Sequence, residues 1–156
     1  MTDGLRGKRA VQIALTLCLP RDGQTVHVAR HIVKTAMQEL GVERECTGDV
    51  EIAVTEACTN VLDHSGPGDE YEVNVNIDEA KVVIRVVDTG RGFDFESVGA
   101  DGSGPRAERG RGIQLMHALV DRVQFTSQPE SGTIVHLEKQ LTMGDGSLVQ
   151  RLVGEG

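Results

Sequence analysis

Aromatic residues make up only 3% of this 156-residue chain, and tryptophan is absent. A core must therefore be filled by Val, Ile, Leu and Ala, and 38% hydrophobic content over this length suffices for one domain. Basic residues are in the minority: 16 Lys and Arg against 24 Asp and Glu give a net charge of −8. That balance repels phosphate backbones and anionic bilayers, which argues against direct nucleic-acid or membrane binding. No uncharged apolar run approaches the length of a membrane span, and the N-terminus lacks a signal-peptide pattern, so a cytoplasmic location is expected. Cysteines are few and mismatched. Cys18, Cys46 and Cys58 form no CxxC pair, and any disulfide leaves one over, which reads as reduced thiols. Two common nucleotide signatures are also missing. There is no GxxxxGK(S/T), and Gly90-x-Gly92 lacks a third glycine at Rossmann spacing.

What is present is a clean alternation of periods. Val11, Ile13, Leu15, Leu17 and Leu19 alternate as a strand that Pro20 ends. Val26, Arg30, Val33, Met37 and Leu40 recur at helical spacing, with Gly41 as the C-cap. A second helix is predicted from within 43–49 to about His64, burying Val50, Val54, Ala57 and Val61 and turning Ile52, Glu56, Asn60 and Asp63 the other way. Residues 71–77 and 81–87 alternate as a hairpin leading into Asp88. Residues 93–111 are glycine-rich and charged, the composition of a functional lid. A third helix is predicted from Ile113, followed by two strands around Gln128–Gly132. The polar, Gly-rich segment 142–156 reads as a disordered tail after a single domain over 1–141. Hairpin-linked strands with helices that must cover one face give an α/β two-layer sandwich with a mixed, mostly antiparallel sheet.

Three stretches carry chemistry. Glu56 and Asn60 lie four apart, one above the other on a helix, pairing a potential general base with a hard oxygen ligand of the kind Mg²⁺ accepts. Asp88-Thr-Gly90-Arg-Gly92 ends a β-branched run with an acid and two glycines, where a ligand can approach the backbone. Arg109-Gly110-Arg111-Gly112 opens a new amphipathic run, where the free N–H groups of a helix N-terminus bind phosphate. By contrast, His27 and His31 have the spacing of a zinc pair but lack a metalloprotease Glu and a third ligand, so they read as surface histidines.

Together, Glu56-x-x-x-Asn60-x-x-x-His64, Asp88-x-Gly90-x-Gly92, Gly110-x-Gly112 and Gly132-Thr133 resemble the boxes of the GHKL ATPases, the superfamily of gyrase and the histidine kinases. The strand and helix ahead of the first box, and Glu108-Arg-Gly before the last glycine pair, are most similar to bacterial anti-sigma factor serine kinases of the RsbW type. The resemblance covers about residues 12–140 and implies the Bergerat sandwich, ATP with Mg²⁺, and a partner switch. In that switch the protein sequesters a sigma factor and phosphorylates a serine of an antagonist protein. A second copy of the chain is a further candidate partner.

Carried onto this sequence, the resemblance makes Glu56 the general base and Asn60 the Mg²⁺ ligand. Asp88 accepts the adenine amino hydrogen, Gly90, Gly92, Gly110 and Gly112 admit the nucleotide, and Thr133 sits under the adenine. Arg109 reaches the phosphates or the incoming antagonist, and Arg111 serves the phosphates. His27, Arg30, His31 and Lys34 form a basic strip on the first helix, of which Arg30 is the residue expected to grip a partner carboxylate. The competing reading is a module of the same fold that binds its partner and transfers nothing.

Overall fold

The computed structural model describes residues 11–64, 70–88, 105–128 and 132–154. In chain order these form β1 (Gln12–Pro20), α1 (Gly23–Leu40), α2 (Arg44–His64), β2 (Glu70–Asp78), β3 (Lys81–Asp88), α3 (Pro105–Leu119), β4 (Arg122–Gln128), β5 (Gly132–Gln140) and α4 (Leu148–Gly154). The strands make one five-stranded sheet in the order β1-β2-β3-β5-β4. Helices cover one face of it, giving the two-layer α/β sandwich that the hairpin-rich pattern predicts. All four ladders are antiparallel, where the sequence suggested a mixed sheet. The reason is the position of β5. It lies between β3 and β4, so those two strands run in the same direction without pairing.

Local chemistry sets the element ends. Asp22 caps α1, its side chain accepting a 2.9 Å hydrogen bond from the Gln24 amide. Val26, Ala29, Val33, Met37 and Leu40 bury one stripe of α1, and Gly41 closes it in the left-handed region at φ 87°. The β2–β3 turn is fixed by Asp78 Oδ1, which accepts from the Ala80 and Lys81 amides at 2.7 and 2.8 Å. In the sheet, Tyr71, Val73, Val75 and Ile77 of β2 and Val82, Ile84 and Val86 of β3 are buried. The matching row of β1, from Ile13 to Leu19, is only half-buried because β1 is an edge strand.

Two expectations from composition are corrected. The third helix begins at Pro105 rather than near Ile113, so residues 105–111 of the expected lid are helical rather than loop. Proline suits a helix's first position, where its missing N–H has no intrahelical partner to lose. The remainder of that lid, 93–104, lies outside the described residues. The segment after Leu141 is docked on the domain rather than disordered. Glu43 N–H donates to Thr142 O at 2.7 Å, Val42 bridges Met143, and Gly144 N–H donates to Gly41 O at 2.8 Å. Ser147 then caps α4 by accepting from the Gln150 amide, and Val149 is buried. Among the described residues, no helix is long and apolar enough to cross a membrane.

Candidate functional site

The C-terminal half of α2 carries the first two site residues. Val50, Ala53, Val54, Ala57, Cys58 and Val61 bury a stripe wider than the predicted one, because α3 packs on α2 from the side. Asn60 belongs to this wider stripe. It is buried at 8% exposure, not on the open side with Ile52, which is 46% exposed. Among the described residues its Nδ2 has no hydrogen-bond partner. Glu56, one turn earlier, is half-buried against α3. There Gly112 leaves room for it: a Cβ at position 112 would stand 3.3 Å from Glu56 Oε1 and 3.6 Å from its Cδ. Gly112 is buried and Arg111 exposed.

The sheet supplies the second half. Asp88 is the last residue of β3 and fully buried, with Tyr71 of β2 and Thr133 of β5 as its register partners. Thr133 is buried too, and its Oγ1 has no hydrogen-bond partner among the described residues. Two buried polar atoms without partners are costly and point to a polar ligand. A carboxamide turned end for end presents oxygen in place of nitrogen, so Asn60 fits a magnesium-type cation, and Thr133 beside Asp88 fits a nucleobase.

Arg21 is the residue that the sequence did not single out. Its guanidinium Nη1 pairs with Asp88 Oδ2, and Nη2 donates to Leu62 O of α2 at 2.9 Å. The side chain is 12% exposed. The available signal was position alone: Arg21 follows the strand-ending Pro20 and precedes the α1 cap Asp22. Nearby, Thr25 Oγ1 lies 2.7 Å from Asp22 O and 2.8 Å from the Tyr71 hydroxyl. Burial pushes the Tyr71 hydroxyl up to about 12 despite that hydrogen bond. Burial likewise pushes the Cys58 thiol up to about 12, so at neutral pH it is a protonated packing group beside the site.

A run of clefts follows the α1–α2 seam. One of about 420 Å³ is lined by Arg21, Asp22, His27, Thr59 and Asp63. A second, of about 450 Å³, is lined by Arg30, Glu51, Ile52 and Glu56. A third holds Lys34, Gln38 and Arg44. The basic strip therefore divides. His27 and His31 are exposed, whereas Arg30 and Lys34 are half-buried and line the seam, with Lys34 Nζ 4.0 Å from Glu51 Oε1. The structure thus gathers Glu56 with Gly112 and Asp88 with Thr133, and Arg21 ties Asp88 to α2 two residues beyond Asn60. Gly90 and Gly92 lie outside the described residues. Arg109 and Gly110 fall in the first two turns of α3.

Known proteins are similar to this chain in sequence and in fold. The chain is 33% identical over 136 residues to the serine-protein kinase RsbW of Halalkalibacterium halodurans, covering 81% of this chain and 83% of that one. It is 30% identical over 135 residues to RsbW of Bacillus subtilis, covering 79% and 82%. An anti-sigma F factor of Pasteuria penetrans is 34% identical over 121 residues, covering 72% and 81%. A crystal structure of RsbU and RsbW domains from Mycobacterium tuberculosis has the same fold, with a TM-score of 0.65 at 18% identity. It is matched over 85% of this chain and 33% of that longer one. The family model of the histidine kinase-like ATPase domain matches residues 19–139, from the end of β1 to the end of β5, and the chain belongs to that family.

Proposed function

We propose that this protein is a cytoplasmic anti-sigma factor with ATP-dependent protein serine kinase activity, which sequesters a sigma factor and phosphorylates an antagonist protein. The observation that carries this reading is the half-buried Glu56 carboxylate, seated against Gly112 one helical turn from the buried, under-bonded Asn60. A solvated helix face does not need either feature. ATP supplies the transferable phosphoryl group, and Mg²⁺ offsets its charge. Asn60 holds the cation, Asp88 accepts from the adenine amino group, and Thr133 supports the base. Arg109 and Arg111 serve the phosphates, and Gly110 and Gly112 of α3 let the nucleotide come close to the helix. Glu56 takes the proton from the attacking serine hydroxyl, and Arg30 grips the partner. Relatives named serine-protein kinase and anti-sigma factor support this assignment.

The test is transfer. Partners recovered from native cytosol on the wild-type protein are incubated with ATP labelled at the γ-phosphate and Mg²⁺. The proposal expects label on a serine of one recovered protein, and Glu56→Gln to lower the rate by roughly 10²–10⁴-fold while ATP binding persists. Capture without any transfer would assign the chain to non-catalytic binding. Transfer by Glu56→Gln at the wild-type rate would remove Glu56 as the base.

A further inference from the structure

The Arg21–Asp88 pair has no place in the proposed chemistry, yet it occupies the carboxylate on which adenine recognition depends. Asp88 is fully buried, and Arg21 approaches it from the turn between β1 and α1. A guanidinium on a buried carboxylate is a charge-assisted contact, and the second nitrogen of the same group is committed to Leu62 O. An adenine amino group can replace an N–H donor at Asp88 but brings no positive charge. Asp88 is fully buried with its Oδ2 already taken by Arg21, so the two donors compete for space at one carboxylate.

We propose that Arg21 is an affinity-setting latch: adenine must displace its guanidinium from Asp88, and this release couples nucleotide binding to the cleft at the N-terminal end of α1. The proposal rests on the reading of Asp88 as the adenine acceptor. Binding then draws only on the fraction of molecules in which Arg21 has left Asp88, so the apparent affinity is lowered by that fraction. The consequence for the cleft follows from chain position. Arg21 is the residue before the Asp22 cap, and its side chain lines the same 420 Å³ cleft as Asp22, His27 and Asp63. While the pair is made, the start of α1 is tied to the end of α2 and to the end of β3 through one side chain. When the pair breaks, the tie between the start of α1 and the end of β3 is lost. Nucleotide occupancy thereby reaches a surface on the α1–α2 seam without any movement of Glu56 or Asn60.

The experiment measures ADP, GDP and inorganic tripolyphosphate affinities by calorimetry for the wild type, Arg21→Gln, Arg21→Ala and Asp88→Asn. The expected result is ADP binding about tenfold tighter in both Arg21 variants. Tripolyphosphate, which carries no base, should bind them as it binds the wild type. Hydrogen exchange on the wild-type protein supplies the second measurement and needs no variant to fold. Amide protection over residues 22–27 should fall when ADP is added and stay unchanged with tripolyphosphate. Arg21 variants that bind ADP no more tightly than wild type, while Asp88→Asn loses it, overturn the latch alone. Unchanged protection of residues 22–27 on ADP addition also overturns it. ADP binding by Asp88→Asn at wild-type strength, with ADP and GDP bound alike, overturns the adenine reading and the latch with it.

Discussion

Glu56 Oε1 and the α-carbon of Gly112 face each other across the α2–α3 contact, with no room for an ordinary side chain between them: a Cβ at 112 would lie 3.3 Å from the carboxylate oxygen. Such a contact is tighter than normal packing, so the carboxylate must give way by a few tenths of an ångström. Alanine is a better helix former than glycine by about 1 kcal/mol, so the fold itself loses nothing. Gly112→Ala is therefore expected to keep or raise the thermal midpoint while lowering single-turnover phosphoryl transfer about tenfold. Full transfer by this variant would show that the seating of Glu56 against α3 is not needed.

Arg30 shares its cleft with Glu56. On the proposed reading, a partner carboxylate held by Arg30 would sit beside the group that receives the serine proton. Arg30→Glu reverses the charge at a half-buried site and should weaken partner capture by about 2 kcal/mol, roughly 30-fold. ATP affinity should remain unchanged, because Asn60, Asp88 and Thr133 do not line the cleft that Arg30 shares with Glu56. Surface plasmon resonance with the recovered partner, beside calorimetry with ATP, checks both halves of the expectation.

Gly41 is strained for any other residue on two counts. Its φ of 87° disfavours a Cβ, and an added Cβ would overlap the Ser147 side chain and stand 2.7 Å from Ser147 Cα. Gly41→Ala should lose at least about 2 kcal/mol of stability and release the segment around α4. Urea titration gives the first quantity, and limited proteolysis near residues 142–150 the second. An unchanged denaturation midpoint would mean that the segment is not held there.

Glu138 lies on the open face of the sheet with a 2.8 Å contact to His136, and Lys81 and Arg122 each 3.7 Å away. The His136 hydrogen bond, followed by the charges of Lys81, His136 and Arg122, holds its carboxyl below the usual carboxylate range. A lowered folded-state pKa stabilises the protein above the unfolded value, about 4.3 for Glu. That contribution is lost as pH falls through the folded value. The wild type should therefore melt above Glu138→Gln at pH 7, and the two should converge on acidification below about pH 4. Differential scanning calorimetry across that range decides it. A constant difference would place the effect in shape rather than charge.

Elements with a strong period were legible in the sequence. The spacing of Val26, Val33, Met37 and Leu40, closed by Gly41, fixes α1 by itself, and the hairpin into Asp88 is equally plain. Asn60 was placed on the wrong side because a helical wheel shows only that an unknown surface is apolar. It cannot show that a second helix, α3, will cover the flank. The start of α3 was hidden because residues 105–111 contribute no apolar stripe, although Pro105 is well suited to a first turn. The docked tail depends on backbone hydrogen bonds from Gly41, Glu43 and Gly144, which leave no trace in side-chain patterning. Arg21 was missed for a related reason. A single basic residue in a turn acquires meaning only when a distant strand end, here Asp88, is brought beneath it.

The β3–β5 ladder has a consequence for when this protein becomes competent. The β2–β3 and β4–β5 hairpins close locally, whereas Asp88 meets Thr133 only after the chain between them has been looped and packed. Because β5 is the last strand to leave the ribosome, a nascent chain holds Asp88 long before it holds the other wall of the pocket. A ligand that needs both walls recognises the finished sheet and no earlier species. Its binding would stabilise the native state alone.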